Sequence, residues 1–191
     1  MAIIGKTDLT KKQLVEFLNN NGYYAKTESS YENFTIYTNE NKNKCLFSSG
    51  YTYYDNGLSH LLVISNSGSY TYDIMLCNNG LIIQFKGADR VFSALIVKDG
   101  ETFYVNSTYF NSGSYAYVCS KFTDTNYQRN DNIRVLGNST VLRPLIYAGT
   151  VGETNVVPNA YFLPITQYAD VGVLTLNGEN YITNGYWCIK D

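Results

Sequence analysis

The first strong pattern along the chain is a short amphipathic segment near the N-terminus. Thr10 and Gln13 have the spacing of a capping box, in which each side chain bonds the backbone N–H of the other residue. Apolar residues then recur at spacings of three and four, which places them on one face of a helix: Leu14, Phe17 and Leu18. Gly22 can adopt the left-handed conformation that commonly ends a helix. We therefore predict a helix over residues 11–20. A helix this short is not stable alone, so its apolar face covers a sheet or, alternatively, contacts a neighbouring subunit.

The chain after Gly22 consists of short apolar or alternating segments separated by turn signals. Asn-Gly and Asp-Gly pairs supply the positive φ that tight β-hairpins need, as at residues 55–57, 78–80, 98–100 and 177–178. Strands spaced by about eight to twelve residues are typical of a sandwich or barrel. The predicted strands are 31–37, 61–65, 70–76, 81–86, 90–97, 102–110, 114–119, 133–136, 141–147, 171–176, 179–183 and 186–190. We predict a mainly β protein, an antiparallel β-sandwich or barrel with one short N-terminal α-helix.

One motif occurs twice, as NSGSYTY at residues 66–72 and as NSGSYAY at residues 111–117. Its small polar residues suit a hairpin loop, since they tolerate turn conformations. The tyrosines that follow alternate, so Tyr70 and Tyr72 should project from one face of a strand, as should Tyr115 and Tyr117. We interpret the motif as a recurring hairpin, with a ligand site as the alternative.

The pattern fits one domain with two regions. Residues 1–22 form an N-terminal segment with the helix, and residues 23–191 form the β-rich domain. Within that domain we expect a loop-rich insertion at 123–160, because residues 123–132 are polar and prolines follow. Pro144 should place its strand at a sheet edge or a bulge, and Pro158 and Pro164 should interrupt the next segment.

Composition narrows the class of protein. Hydrophobic residues make up 45% of the chain, which excludes a disordered tail, and nineteen tyrosines favour strands. The net charge is −2 and no basic stripe is present, so we expect no nucleic-acid partner. The opening MAIIGKTDL does not have the pattern of a signal peptide, and the apolar runs are only strand-sized. We therefore expect no membrane span and synthesis in a cytoplasm.

The chain offers little that indicates catalysis. His60 is the single histidine, and no nucleophile motif or phosphate-binding glycine loop accompanies it. The four cysteines are far apart in the sequence, which argues against zinc and for ordinary reduced thiols. We expect no catalytic residue, no metal and no cofactor, and hence no enzyme. A cell-wall hydrolase that uses His60 is the enzymatic alternative.

Two stretches of the chain resemble a known class of protein. The C-terminal LTLNGENYITNGYWCIKD resembles the closing β-meander of small virion structural proteins from tailed bacteriophages and prophages of low-GC Gram-positive bacteria. The residues that match are Asn177, Gly178, Tyr181, Gly185, Trp187, Lys190 and Asp191. The opening GKTDLTKKQLVEFLNNNGYY resembles the short N-terminal helix of head–tail, tail or baseplate components. Together the two stretches cover about a fifth of the chain and carry no catalytic signature.

The resemblance implies assembly by protein–protein contacts in the tail, neck or baseplate, as a homo-oligomer and with other virion proteins. The protein would then be located in the virion, after assembly in the cytoplasm of the host bacterium. Tyrosine gives large rigid contact area, so the candidate interface residues are Tyr70, Tyr72, Tyr115, Tyr117, Tyr181 and Trp187. Trp187 is also a candidate core residue. The alternative function is a carbohydrate- or receptor-binding β-module of a phage particle, with a glycan as ligand.

Overall fold

A computed structural model describes residues 2–27, 34–49, 70–87, 91–109, 118–122, 127–128, 142–148, 154–162 and 171–191. Within these ranges the protein is mainly β, with antiparallel sheets and a single helix near the N-terminus, which confirms the predicted fold class. The elements are β1 (Ile4–Leu9), α1 (Lys11–Asn20), β2 (Tyr24–Thr27), β3 (Phe34–Tyr37), β4 (Cys45–Ser48), β5 (Thr71–Cys77), β6 (Gly80–Lys86), β7 (Val91–Asp99), β8 (Thr102–Tyr109), β9 (Val118–Phe122), β10 (Tyr127–Gln128), β11 (Arg143–Ala148), β12 (Thr154–Phe162), β13 (Gly172–Leu176), β14 (Glu179–Thr183) and β15 (Trp187–Lys190).

Helix α1 begins and ends as its sequence predicts. The Gln13 N–H donates to the Thr10 hydroxyl at 3.3 Å, and the Thr10 N–H donates to the Gln13 side-chain oxygen at 2.9 Å. At the other end, the Tyr23 N–H donates to the Leu18 carbonyl, and Gly22 has φ +81. Two leucines of the apolar face are fully buried among sheet residues. The helix therefore covers a sheet of its own chain, which is the first of the two roles predicted for its apolar face.

The described strands form two sheets. The larger sheet has twelve strands in the order β1-β5-β6-β7-β8-β9-β11-β12-β15-β14-β13, with β10 paired to β9. Its neighbouring strands run antiparallel, except that β11 lies parallel to β9. The smaller sheet has the order β2-β3-β4. The two ends of the larger sheet are β1 and β13.

Two hydrophobic cores lie on opposite faces of the strands β5 to β8. Alternate side chains point to alternate cores, so Ile74 lies in one and Met75 in the other. The helix-side core includes Leu14, Leu18, Phe34, Ile36, Phe47, Tyr72, Ile74, Ile83, Phe85 and Ile96. The sandwich core includes Met75, Ile82, Leu95, Leu145, Phe162, Ile182, Trp187 and Ile189. In the sandwich core β5–β8 pack against β12, β14 and β15, so the larger sheet folds over onto itself in a sandwich-like arrangement.

Burial on both faces explains the uninterrupted apolar runs in β5–β7. A strand with one wet face alternates apolar and polar residues, whereas a strand covered on both faces is apolar throughout. The segment Leu81–Ile83 is fully buried at every position, although its side chains alternate between the two cores. The central strands are therefore a middle layer, with α1 and the small sheet on one side and the C-terminal strands on the other.

The sequence-based prediction was wrong in part of residues 123–160. Pro158 does not interrupt the chain, because β12 runs through it, and a two-residue strand β10 lies within the stretch expected to be loop. Pro144 pairs with Tyr161 and Ile146 pairs with Val156, so residues 157–160 lie opposite Leu145 alone. This bulge removes Pro158 from the regular ladder, which is how a strand accommodates a proline. Pro144 borders the same bulge, as predicted. Strands β1, β2 and β4 are further elements that sequence analysis missed.

The predicted hairpin turns that fall in the described residues are present. The turns at 78–79, 99–102 and 177–178 join β5–β6, β7–β8 and β13–β14. Strands β8 and β9, which flank the second NSGS motif, pair antiparallel as a hairpin requires. The two NSGS loops themselves, the turn at 55–57 and the predicted strands at 61–65 and 133–136 lie outside the described residues.

The first prediction concerns Gly80, at the start of β6. Gly80 has φ +153, and a Cβ there would overlap the Ile96 carbonyl oxygen and lie 3.0 Å from Val97 Cα. We expect Gly80→Ala to lower the free energy of unfolding by about 3 kcal/mol, because an unfavourable φ and overpacking both contribute. Urea unfolding followed by the fluorescence of the buried Trp187 measures the change.

Gly100→Ala is the matched control. Gly100 has φ +60 but nothing lies within 4 Å of a Cβ built there, so only the backbone cost of about 1 kcal/mol remains. Equal losses for the two variants would contradict the close packing of β6 against β7.

Candidate functional site

The predicted interface residues do not form one surface. Tyr72 is 6% exposed and lies in the helix-side core, whereas Trp187 is 2% exposed and lies in the sandwich core. The two side chains are thus on opposite faces of the middle layer. Tyr181 is 9% exposed, and its ring meets that of Tyr161 edge-on with centroids 5.9 Å apart. All three side chains are buried within one chain, and Trp187 occupies the core position that the sequence also predicts.

Tyr70 is the predicted interface residue that is both described and partly exposed. It packs against the helix-side core beside Tyr72, as expected from their alternation on one strand face. Its ring covers Gly87, where a Cβ would lie within 3.1 Å of three ring atoms. Tyr115, Tyr117 and His60 lie outside the described residues.

The C-terminal residues that carry the resemblance hold the fold together. Asn177 and Gly178 have φ +52 and +81, as the two central residues of a tight hairpin turn require. The Asn184 side-chain oxygen accepts hydrogen bonds from the backbone N–H groups of Tyr186 and Trp187 at 3.2 and 2.9 Å. These contacts turn the chain from β14 into β15 and direct Trp187 into the core.

The final two residues are joined to the β5–β6 hairpin. The Asp191 carboxylate accepts from the Asn78 N–H at 3.0 Å, and the Asn79 side chain donates to the Lys190 carbonyl at 2.8 Å. The C-terminal strands are thereby fixed to the middle layer at its turn as well as through the sandwich core.

The edge strand β13 exposes an apolar side chain to solvent. Among the described strands β13 pairs only with β14, and its register runs without a shift from Gly172 to Leu176. Val173 is 54% exposed, although it pairs with the fully buried Ile182. The strand GVLTL contains no charged residue. This edge is our candidate functional site, and sequence analysis did not single it out because an edge strand looks like any half-buried strand.

The strand at the opposite end of the sheet, β1, is charged and irregular. Strand β1 carries Lys6 and Asp8, and a register shift between Lys6 and Leu9 places residues 7 and 8 opposite Asp73. Asp8 has φ +53, as a bulged residue often does. Charges and bulges are the devices by which proteins protect sheet edges from pairing with other chains.

A buried ion pair fixes that bulge. The Asp73 carboxylate is nearly fully buried and accepts the Asp8 N–H at 2.8 Å on one oxygen, while Lys86 Nζ lies 2.8 Å from the other. Lys86 Nζ also lies 3.0 Å from the Asp8 carboxylate. The hydrogen bond to Asp73, and then that to Asp8, raise the pKa of Lys86. Both carboxylate oxygens are engaged, so the arrangement is that of a structural link among β1, β5 and β6.

A buried glutamine anchors the start of the edge strand. The Gln84 side-chain oxygen accepts from the Val171 N–H at 3.0 Å, immediately before β13. Asp73, Gln84 and Ser93 are register partners on adjacent strands and form a polar row on the sandwich face of the middle layer. Among the described residues, the Gln84 amide nitrogen and the Ser93 hydroxyl are buried without a hydrogen-bond partner. The signal in the sequence was a polar residue in each of three apolar strands.

The three buried thiols do not have the features of reactive cysteines. Cys77, Cys119 and Cys188 are buried and Cys45 is partly exposed. Burial raises the pKa of Cys77 to about 11 and also raises the pKa values of Cys119 and Cys188. A nucleophilic cysteine needs the opposite shift.

Within the described ranges, no group of three or more His, Cys, Asp or Glu side chains is placed to hold a metal ion. No helix in the described part combines the length and apolar character needed to cross a membrane. Comparison of the chain with protein-family models, with curated proteins and with solved structures gives no match.

The second prediction tests the buried ion pair by a double-mutant cycle. We expect Asp73→Asn to cost about 1–3 kcal/mol, since a buried hydrogen-bonded charge is lost. Combined with Lys86→Met, the cycle should give a coupling energy of about 1 kcal/mol.

The pair Glu179 and Lys190 is the control. Its lysine is about as exposed as Lys86, but its carboxylate is 52% exposed. There Glu179→Gln and Lys190→Met should couple clearly more weakly, because solvent screens an exposed pair. Coupling of equal size in both pairs would contradict the role of burial.

The third prediction concerns thiol reactivity. With a disulfide reagent at pH 8, Cys45 should react first and the buried thiols about tenfold or more slowly, because they must await local opening. At pH 8 the raised pKa of Cys77 keeps its thiol protonated in the folded state, so this slow reaction proceeds through the opened state. Cys45→Ser should remove the fast phase alone. A fast phase that persists in this variant would place another thiol at the surface.

Proposed function

We propose that the protein is a structural component of a bacteriophage particle that assembles by protein–protein contacts in the tail, neck or baseplate. The observation that carries this proposal is the edge strand β13, which is regular, uncharged and exposes Val173. An edge of this kind is a template for pairing with another chain. The partners would be further copies of the chain and other virion proteins, and the location would be the virion.

Two further observations support the proposal. The segment that resembles phage virion proteins builds the strands β13–β15, so the resemblance and the exposed edge fall on the same part of the fold. The charged residues that the structure engages, such as Asp73 with Lys86, join neighbouring strands. The described part of the molecule is thus built as a rigid sandwich that presents a sheet edge.

The carbohydrate-binding alternative loses two of its supports in the described residues. A carbohydrate-binding module would use aromatic strand faces and the loops at 123–132 and 148–160, yet Tyr72 is buried and β12 occupies residues 154–162. Tyr115, Tyr117 and most of the first loop lie outside the described residues. We retain glycan binding only as an outcome of the test below.

The fourth prediction locates the protein. An antibody raised against the recombinant chain should detect it, after induction of a lysogenic source culture, in gradient fractions that contain phage-sized particles. Gold labelling should mark one fixed position on the tail, neck or baseplate. An antibody against a major capsid protein of the same particles is the control for intact virions.

Signal confined to the free soluble fraction, with capsid signal in the particle fraction, would refute a structural role. Pull-down with purified host cell walls and turbidity loss of those walls would then distinguish glycan binding from hydrolysis.

A further inference from the structure

The backbone of β13 has groups that point away from the sheet. Asn180 pairs with Thr175, yet the Asn180 carbonyl accepts from the Asp191 N–H at 2.9 Å, on the side away from β13. In an antiparallel ladder, opposite residues either bond each other or both turn their groups outward. The N–H and C=O of Thr175 therefore face the open edge, and by the same alternation so do those of Val173.

The usable edge is short and has defined ends. Val171 lies two residues before Val173, so its backbone groups point the same way. Its N–H, however, donates to the Gln84 side-chain oxygen at 3.0 Å. At the other end the chain leaves the strand through the turn at Asn177, where φ is +52. Val173 and Thr175 are thus the two residues with outward backbone groups, and they lie symmetrically on either side of Leu174.

We propose that β13 pairs antiparallel with β13 of a second copy of this chain, about a two-fold axis at Leu174. This register sets Val173 opposite Thr175 of the partner subunit and Thr175 opposite Val173 of the partner subunit. Each pair exchanges two N–H···O bonds, so all outward groups of both strands are used. This dimer gives the exposed edge a partner, a second copy of the chain. Its biological meaning rests on the proposed function.

The side chains fit a second copy of the same strand. Because β13 has no charged residue, two copies meet at this edge without like charges opposite one another. The exposed Val173 lies beside Thr175 of the partner subunit on one face, and Leu174 meets its own copy on the other. The edge is therefore self-complementary, as an isologous two-fold interface requires. The charged and bulged strand β1 does not have this property.

The fifth prediction tests the edge in solution with the full-length protein. Analytical ultracentrifugation should show twice the monomer mass at high concentration. Val173→Lys should weaken the dimer by about tenfold or more, because a lysine on an edge opposes strand pairing. Val156→Lys is the matched control, since Val156 is 57% exposed but lies on β12 rather than on β13, and it should leave the dimer within about twofold of wild type.

Two further variants test the register. Thr175→Pro removes an outward N–H that β14 does not use, so the monomer should fold while the dimer is lost. Leu174→Cys should give a covalent dimer on mild oxidation, because directly opposite residues of a non-hydrogen-bonded pair are about 4.5 Å apart at Cα, within disulfide range. Val156→Cys should give none. Circular dichroism and thermal unfolding of each variant confirm that it is folded.

Three results would overturn the inference. A protein that is monomeric up to about 1 mM has no such interface. A dimer that survives both Val173→Lys and Thr175→Pro uses another surface. A dimer lost in those variants but not linked through Leu174→Cys pairs β13 with a different strand. Each result concerns the protein in solution, so it leaves the particle-location experiment to decide the proposed function separately.

Discussion

Burial of both faces of β5–β8 is the constraint on which the rest of the structure depends. A strand layer with two apolar faces needs a cover on each, and the chain supplies two of different kinds. The helix and the small sheet cover one face through residues such as Leu14 and Phe34. The C-terminal strands cover the other through Trp187 and Ile189. Because the C-terminal strands also belong to the larger sheet, covering the second face forces that sheet to turn back on itself.

The same constraint gives the buried polar groups their roles. A carboxylate or an amide inside an apolar layer is unfavourable unless it is paired. Asp73 meets this requirement with Lys86 and the backbone of Asp8, and in doing so holds the protected edge β1. The Gln84 side-chain oxygen is paired with the Val171 N–H, which positions the start of the open edge β13. The two ends of the sheet are thus each held by a polar residue of the middle layer.

Local patterns predicted local structure well and long-range packing poorly. The capping box at Thr10 and the turns with positive φ depend on neighbouring residues, so their sequence was sufficient. The bulge that accepts Pro158 depends on the partner strand β11, which no local pattern identifies. Tyr72 was proposed as an interface residue for a related reason, since period-two alternation gives the face of a strand but not what covers it. The open edge depends on strand order, which no local sequence pattern reveals.

The position of β15 has a consequence for the order in which the molecule can be completed. β15 lies between β12 and β14 in the sheet. The β13–β14 hairpin is therefore joined to the rest of the sheet through β15, which comes after the hairpin in the sequence. During synthesis that hairpin emerges first and has no sheet to join until residues 187–190 arrive. The open edge therefore becomes a fixed surface only as the last described strand docks.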